Sequence, residues 1–194
     1  MRTLLVLVSM SGFMGFGQER PSVPVRVNPN DEAVCKLTDL PSQIRGQLRG
    51  EFGSSKVQAP SDLNPIARVR WEAERPLKCP GIAKGRFGGQ VTVSYSLLLV
   101  PSTRARSGYT IVVFTPKPGE SGFKGQIVDQ QALGSADNLF IRTVPIGKVF
   151  NEQWRRRLGA KAEGILRISA AEKEYQADVY FWSNGRFESE TIDY

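Results

Sequence analysis

The side chains in this chain that could carry out chemistry are carboxylates, lysines, arginines and two cysteines, because the sequence contains no histidine. Without histidine, neither a Ser-His-Asp relay nor a Cys-His relay has its general base. Zinc sites with histidine ligands are excluded too, and two cysteines alone make a poor metal site. We therefore expect no metal and no cofactor. Carboxylates or an activated lysine remain as the possible means of catalysis.

Glutamates occur in closely spaced pairs at three places, which are Glu72 and Glu74, Glu172 and Glu174, and Glu188 and Glu190. The last pair lies on a predicted strand, where residues two apart share a face and lie roughly 6 to 7 Å from each other. This separation is near that of the two carboxyl groups in glycosidases. Acids two apart on an exposed strand face are common, however. We predict that the protein is not an enzyme, with a carboxylate-dependent, glycan-acting enzyme as the alternative.

The densest basic cluster is Trp154, Arg155, Arg156 and Arg157, with Lys161 nearby. An aromatic residue beside a basic run can bind phosphate, nucleic acid or an anionic glycan. A solvated turn or short helix with Trp154 in the core would have the same sequence. A single aromatic residue is no stacking platform, so nucleic acid is disfavoured. These four residues are the candidate binding residues for an anionic partner, and the net charge of +7 agrees with such a partner.

The N-terminus has the pattern of a cleavable signal peptide. Arg2 precedes an uncharged run from Leu4 to Gly17, and Gly15 and Gly17 supply small residues before Gln18. The run is shorter than the roughly 20 residues that cross a bilayer, and no later segment is long and apolar enough to do so. The pattern predicts a signal peptide at 1–17 and a protein that works in the periplasm or outside the cell.

In an oxidising compartment, Cys35 and Cys79 are expected to form one disulfide, with two buried free thiols as the alternative. The prolines and asparagines of residues 18–36 indicate an extended arm. Residues 37–194 then show no repeat and no boundary, which predicts one domain.

The elements that must position these residues begin with two helices. Leu40, Ile44, Leu48 and Phe52 recur every four residues and predict one apolar stripe. Asn64-Pro65 suits the start of a second helix. On that helix we expect Ile66, Val69 and Ala73 to face the core.

Alternating apolar residues and short connections predict mostly antiparallel strands for the rest of the chain. Asn184-Gly185 is a strong signal for a tight hairpin turn. The candidate strands are 82–87, 91–99, 109–114, 123–129, 138–144, 165–168, 176–182 and 186–192, with a short one at 56–59. The predicted fold is α+β, with two N-terminal helices packed on one side of a mostly antiparallel sheet of six to eight strands.

Two short segments resemble known families. Gly85 to Leu99, with its glycines, Phe87, Tyr95 and leucine run, resembles the calcium-loop hairpins of FG-GAP-like repeats. Arg86, Gln90 and Ser94 stand at the acidic positions, so the resemblance implies a hairpin without a calcium site. The spacing of Leu40, Pro41, Ile44, Leu48 and Phe52 resembles the opening helix of PepSY-like periplasmic domains, which implies binding or inhibition.

The whole chain is similar in style to small exported bacterial proteins of unassigned function. Export, a predicted disulfide and the lack of a catalytic constellation indicate a non-catalytic binding or inhibitor-type protein of the periplasm or cell exterior. Its partner would be a protein or an anionic envelope polymer. A structural component of the envelope is a further alternative, and it predicts oligomerisation or an exposed apolar patch.

Overall fold

The computed structural model of the protein describes residues 32–74, 78–87, 92–103, 107–149, 158, 162–171 and 175–193. The predicted signal peptide and most of the predicted arm at 18–36 lie outside these ranges. The basic cluster Trp154 to Arg157 lies outside them as well.

The described residues form three α-helices and nine β-strands, which confirms the α+β class. The helices are α1 (Ser42–Gly50), α2 (Pro65–Glu74) and α3 (Ile146–Val149). The strands are β1 (Ser55–Val57), β2 (Ile82–Gly85), β3 (Ser94–Pro101), β4 (Tyr109–Pro116), β5 (Phe123–Gln131), β6 (Leu139–Pro145), β7 (Glu163–Ala170), β8 (Tyr175–Ser183) and β9 (Arg186–Asp193). The prediction of two helices was wrong because the four-residue α3 is too short to leave a periodic pattern. The predicted total of six to eight strands was also wrong, although β1 had been expected as a short strand at 56–59.

The strands form two antiparallel sheets rather than the single sheet predicted from the sequence. Sheet A has the order β1-β3-β4-β5, with β2 also paired to β3, and sheet B has the order β6-β7-β8-β9. Residues 132–138 carry the chain from β5 to β6 without pairing these strands. The physical reason for two sheets lies in β3 and β4, whose residues are apolar on both faces and must be covered on both sides.

The two sheets face each other, and the helices α1 and α2 cover the opposite outer faces. Leu98, Val100 and Ile111 of sheet A pack in one cluster with Ile141 and Ile165 of sheet B. Since neighbouring strand residues point to opposite faces, Leu97, Leu99, Val112 and Phe114 turn outward and pack against the α1 region. The outer face of sheet B packs against α2. The prediction that the helices lie on one side was therefore wrong.

Helix α1 packs through the apolar stripe predicted from the sequence. Ile44 is fully buried, Leu40 packs beside it just before the helix begins, and Leu48 and Phe52 are partly buried in the same cluster. The arginines of α1 lie off this stripe.

Helix α2 begins as predicted but faces the core with a different side. The side chain of Asn64 accepts a hydrogen bond of 2.9 Å from the Ala67 N–H, which is an N-terminal cap. Ile66 is partly buried and packs against the core as predicted, and Ala67 and Trp71 are buried. Val69 is 69% exposed and Ala73 is exposed, so the predicted core face was wrong for these two residues. The indole of Trp71 buries more apolar area than Val69 or Ala73 could. Its N–H also donates to the Lys78 carbonyl at 2.9 Å.

The hairpin between β8 and β9 turns at Asn184-Gly185, as predicted. Both residues have positive φ, 50° and 80°, which is the backbone conformation that two-residue hairpin turns require. This turn sets the register of β9 on β8.

Candidate functional site

The disulfide between Cys35 and Cys79 is present, with their Cα atoms 4.8 Å apart and a sequence separation of 44. This confirms the predicted pairing. Lys36 follows one cysteine and Lys78 precedes the other, so the disulfide brings these two lysines to the same place on the surface. Both lysines are exposed.

A groove of about 460 Å³ opens beside the disulfide, and we call it the lysine groove. Its lining residues are Val34, Lys36, Asp39, Leu40, Lys78, Cys79, Ile82, Lys84 and Tyr95. Ile82 and Tyr95, which belong to β2 and β3, supply its main apolar surface. The Lys84 ammonium lies 5.6 Å from the centre of the Tyr95 ring, a favourable cation–π arrangement. The groove therefore presents three ammonium groups and one carboxylate around an apolar floor.

Within the part of the chain that the structure describes, the cations of the lysine groove have no carboxylate partners. In the described part of the chain, the lysines and arginines that form no ion pair are Lys36, Arg45, Arg49, Lys78, Lys84, Arg86, Lys124 and Lys148. Three of these line the lysine groove, and two more, Arg45 and Arg49, lie on α1 on the same side of sheet A. Unpaired positive charge is therefore concentrated on this side of the protein, which favours an anionic ligand.

Another cavity, of about 580 Å³, has a different chemistry, and we call it the hydroxyl-rich cavity. It is lined by small and hydroxyl-bearing residues, which include Ser61, Ser102, Thr103, Ser107 and Ser135. The ammonium of Lys56 in its wall is paired with the carboxylate of Asp62. Because its described cation is already neutralised, this cavity is a weaker candidate for an anion than the lysine groove.

A polar cluster lies between the two sheets, and a β-bulge in β5 makes it possible. Ile111 pairs with Asp129, but the next residue, Val112, pairs with Ile127, so Val128 is an extra residue in the strand. Gly125 and Ile127 lie on the outer face of sheet A, as do their partners Phe114 and Val112. A regular strand would point Asp129 outward as well, whereas the bulge turns it toward sheet B.

Asp129 is the centre of this inter-sheet cluster. The hydroxyls of Tyr109 and Tyr180 both donate to its Oδ2 atom, at 2.8 and 2.6 Å. The Arg167 guanidinium donates to the same oxygen at 3.1 Å, and also to Tyr109 and Asp178. Thr191 completes the cluster by donating to Asp178 at 2.6 Å. The network ties β4 and β5 of sheet A to β7, β8 and β9 of sheet B.

The surroundings of the two tyrosines keep them neutral. Burial, and the hydrogen bond to Asp129, raise the pKa of Tyr109 from 10.0 to about 12. The same two causes raise the pKa of Tyr180 further. Arg167 opposes these increases because its positive charge favours a phenolate. A tyrosine with a raised pKa is a poor base or nucleophile, so the cluster is suited to holding the sheets together.

The paired glutamates lie away from these cavities. Glu188 and Glu190 share one face of the edge strand β9, and neither lines the lysine groove or the hydroxyl-rich cavity. Glu188 lies 3.4 Å from Arg186. Glu72 and Glu74 pair with arginines of α2. Glu172 and Glu174 lie outside the described residues.

The segment that resembles an FG-GAP-like hairpin includes the end of β2 and most of β3, which pair antiparallel with Gly85 opposite Ser94. The resemblance itself stays a prediction. Ser94 is buried and its hydroxyl donates to the Phe87 carbonyl at 3.3 Å. Gln90 lies outside the described residues. Among the residues that are described, no group of three or more acids or cysteines is placed to hold a metal ion.

Sequence reasoning placed the anionic site at Trp154, Arg155, Arg156 and Arg157, which lie outside the described residues, and that prediction stays open. It overlooked the lysines next to the cysteines. Their signal is the adjacency in the sequence itself: Cys35-Lys36 and Lys78-Cys79 become one site once the disulfide is assumed.

The helices of the described residues are all too short and too polar to cross a membrane. Comparisons with protein families, with characterised proteins and with solved structures found no match to this chain, so its function has to be argued from its own residues.

Proposed function

We propose that this protein is an exported, non-catalytic binding protein that holds an anionic partner in the lysine groove. The observation that carries the proposal is the arrangement of Lys36, Lys78 and Lys84 around a single carboxylate, Asp39, with no ion pair to any of the three lysines in the described structure. Flexible ammonium groups with no internal partner are available to bind a ligand.

The partner that this groove favours is an extended anion, such as an acidic stretch of a protein or an anionic envelope polymer. The groove is open and carries several separate point charges, which match repeated negative charges better than one compact ion. The apolar surface of Ile82 and Tyr95 adds contact area for the backbone of such a partner. The disulfide in the wall of the groove supports a site of action outside the reducing cytosol.

The experiment that tests the proposal measures retention of the mature protein, from Gln18 onward, on poly-L-glutamate and on dextran sulfate along a salt gradient. We expect the triple variant Lys36→Gln, Lys78→Gln, Lys84→Gln to elute at much lower salt than the wild type, because three contacts to the anion are lost. The matched control is Lys117→Gln, Lys124→Gln, Arg186→Gln, which removes the same charge at exposed positions away from the groove.

The third variant needed is Arg155→Gln, Arg156→Gln, Arg157→Gln. If this variant loses retention and the lysine variant does not, the anionic site is the basic cluster and the lysine groove is dismissed. Equal elution of the lysine variant and the matched control would reduce the attraction to net charge alone and would overturn the proposed site.

A second candidate function, a structural component of the envelope, is favoured by one apolar patch. Val69, which is 69% exposed, and Tyr175, which is 43% exposed, line a groove of about 510 Å³ together with Pro65, Ile66 and Ala73. Contiguous exposed apolar surface is typical of association sites. This candidate predicts self-association that rises with protein concentration and that Val69→Glu abolishes, as measured by light scattering. A monomer at all concentrations would dismiss it.

A further inference from the structure

A second groove lies on the far side of the 3-10 turn Leu37–Asp39, and we call it the α1 groove. Its lining residues are Leu37, Thr38, Arg45, Leu48, Arg49, Gly53 and Ser55, and its volume is about 370 Å³. Arg45, Leu48 and Arg49 are three and four residues apart on α1, so their side chains lie side by side along one face of the helix. The turn and the chain around Gly53 form the rest of the lining.

The two arginines of this groove have no side-chain partners among the residues that the structure describes. In the described residues, neither Arg45 nor Arg49 forms an ion pair or a side-chain hydrogen bond, whereas Arg68, Arg70, Arg142, Arg167 and Arg186 all contact a carboxylate. The Nε atom of Arg45 is moreover buried and lacks a hydrogen-bond partner. Because this atom is shielded from solvent, a ligand in the groove would meet the terminal Nη groups of the Arg45 guanidinium instead.

The remainder of the groove is mostly apolar. Leu37 is 44% exposed, one of the large apolar residues in the protein that face solvent, and Leu48 lies beside it in the groove. A fully hydrated small anion would leave these side chains uncovered. The combination of two adjacent guanidinium groups with an apolar surface therefore matches a ligand that has both a charged head and an apolar tail.

We propose that the α1 groove binds a single-chain amphiphile of the fatty-acid type, with its carboxylate on Arg45 and Arg49 and its chain along Leu37 and Leu48. A carboxylate has two coplanar oxygens, which match two parallel N–H groups of one guanidinium in a bidentate pair. The terminal Nη groups of Arg45 supply this pair, and the second guanidinium, from Arg49, adds attraction to the same head. The inference does not rest on the proposed function, because the two grooves share no residues.

The experiment is a calorimetric titration of the mature protein with decanoate below its micelle concentration. Decanol tests the need for charge, acetate the need for the chain, and decyl phosphate the nature of the head. We expect decanoate to bind at least tenfold more tightly than decanol or acetate, since the charged hydrogen bonds and the apolar contact are both required. Tighter binding of decyl phosphate than of decanoate would overturn the carboxylate assignment.

Variants locate the ligand on the protein. We expect Arg45→Gln to weaken decanoate binding about tenfold or more, and Arg45→Lys to weaken it nearly as much, because lysine keeps the charge but lacks the fork. Arg49→Gln should weaken it several-fold. Arg186→Gln, which removes one charge at a distant exposed position, and the triple lysine-groove variant should bind decanoate as the wild type does.

Arg49 is exposed, so Arg49→Gln gives a test even if the Arg45 variants are unstable. Wild-type affinity in Arg49→Gln, or equal binding of decanoate and decanol by the wild type, would overturn the proposal. Loss of decanoate binding in the lysine-groove variant alone would overturn it too, by moving the ligand to the other groove.

Discussion

The two outer faces of the protein use arginine in opposite ways. On the α2 face, each arginine of the helix has a glutamate four residues later. Arg68 lies 3.2 Å from Glu72, and Arg70 pairs with Glu74. Arg142 of sheet B approaches the same Glu74 at 3.4 Å. The charges of this face are therefore satisfied within the protein.

On the α1 face, the corresponding spacing joins like charges. Four residues after Arg45 stands Arg49, and four residues after Arg49 stands Gly53. Like charges at this spacing destabilise a helix by a few tenths of a kcal/mol. The lysines next to the disulfide add more unpaired positive charge on the same side.

The comparison distinguishes charges that form ion pairs within the fold from charges that are available to bind a ligand. Paired arginines are partly neutralised and have their donors occupied, so a partner would have to break an existing contact to use them. In the described structure, the cations of the α1 face have no ion pairs that a partner would need to break. Net charge alone does not reveal this, because both faces contribute cations to the total of +7.

The largest expected effect comes from removing the disulfide, which breaks the cationic side and leaves the α2 face alone. The double variant Cys35→Ser, Cys79→Ser should lose roughly 3 to 4 kcal/mol of unfolding free energy, the value for a closed loop of this length. It should also lose retention on poly-L-glutamate, since Lys36 and Lys78 are no longer held together. Urea denaturation and the salt gradient measure the two effects. Wild-type protein treated with a reductant is the control, and full retention by a folded, reduced chain would contradict the expectation.

An effect of intermediate size is expected at alkaline pH, which ionises the tyrosines of the inter-sheet cluster. The pKa of Tyr109 is about 12 in the folded protein, whereas a tyrosine in the unfolded chain titrates near 10. Between these values the unfolded chain has lost a proton that the folded protein keeps, so the unfolding free energy falls as pH rises. We expect Tyr109 to account for a loss of the order of 2 kcal/mol, and Tyr180 to add to it.

The unfolding free energy is measured by urea denaturation at about pH 9.5, below the pKa of tyrosine in the unfolded chain, and at about pH 11.5, close to the pKa of Tyr109 in the folded protein. Phenolate absorbance is a second readout. Tyr109→Phe is the test variant, because it removes the titrating group and should flatten the dependence. If Tyr109→Phe and Tyr180→Phe each lose as much unfolding free energy at alkaline pH as the wild type does, the inter-sheet cluster is not the origin of the loss.

The smallest expected effect comes from a substitution that gives the α1 face the charge pairing of the α2 face. Arg49→Glu gives α1 the same arginine-to-glutamate spacing that α2 has, and it should raise the unfolding free energy by about 0.3 kcal/mol as repulsion is replaced by a pair. The same change should abolish decanoate binding, because a carboxylate then occupies Arg45. Arg49→Gln is the control that removes repulsion without adding a pair. A less stable Arg49→Glu than Arg49→Gln would contradict the comparison.

Local patterns predicted the elements better than their assembly. The stripe on α1, the Asn64 cap, the Asn184-Gly185 turn and the Cys35–Cys79 pairing depend on short-range geometry or simple pairing, and they are present. The division into two sheets was missed because short connections are compatible with one sheet or two. The signal for it was the run of apolar residues on both faces of β3 and β4.

The candidate site was less accessible to sequence reasoning. The spacing of the apolar stripe does not say whether Arg45 and Arg49 have partners, and only the three-dimensional contacts of the described residues show that they lack them. The buried face of α2 was also missed, because helical periodicity gave Val69 and Ala73 a place in the core that Trp71 occupies. In both instances the competition among side chains for one surface decided the outcome.

The extra residue in β5 has a consequence for how this protein can change over evolutionary time. Val128 is the extra residue, and Asp129 pairs with Ile111 on the inner face of sheet A. A deletion of one residue at 128 would place Asp129 directly after the outward-facing Ile127, so the aspartate would still point toward Arg167. Relatives of this protein that keep Arg167 between the sheets are therefore expected to accept a gap at 128 as well as substitutions there.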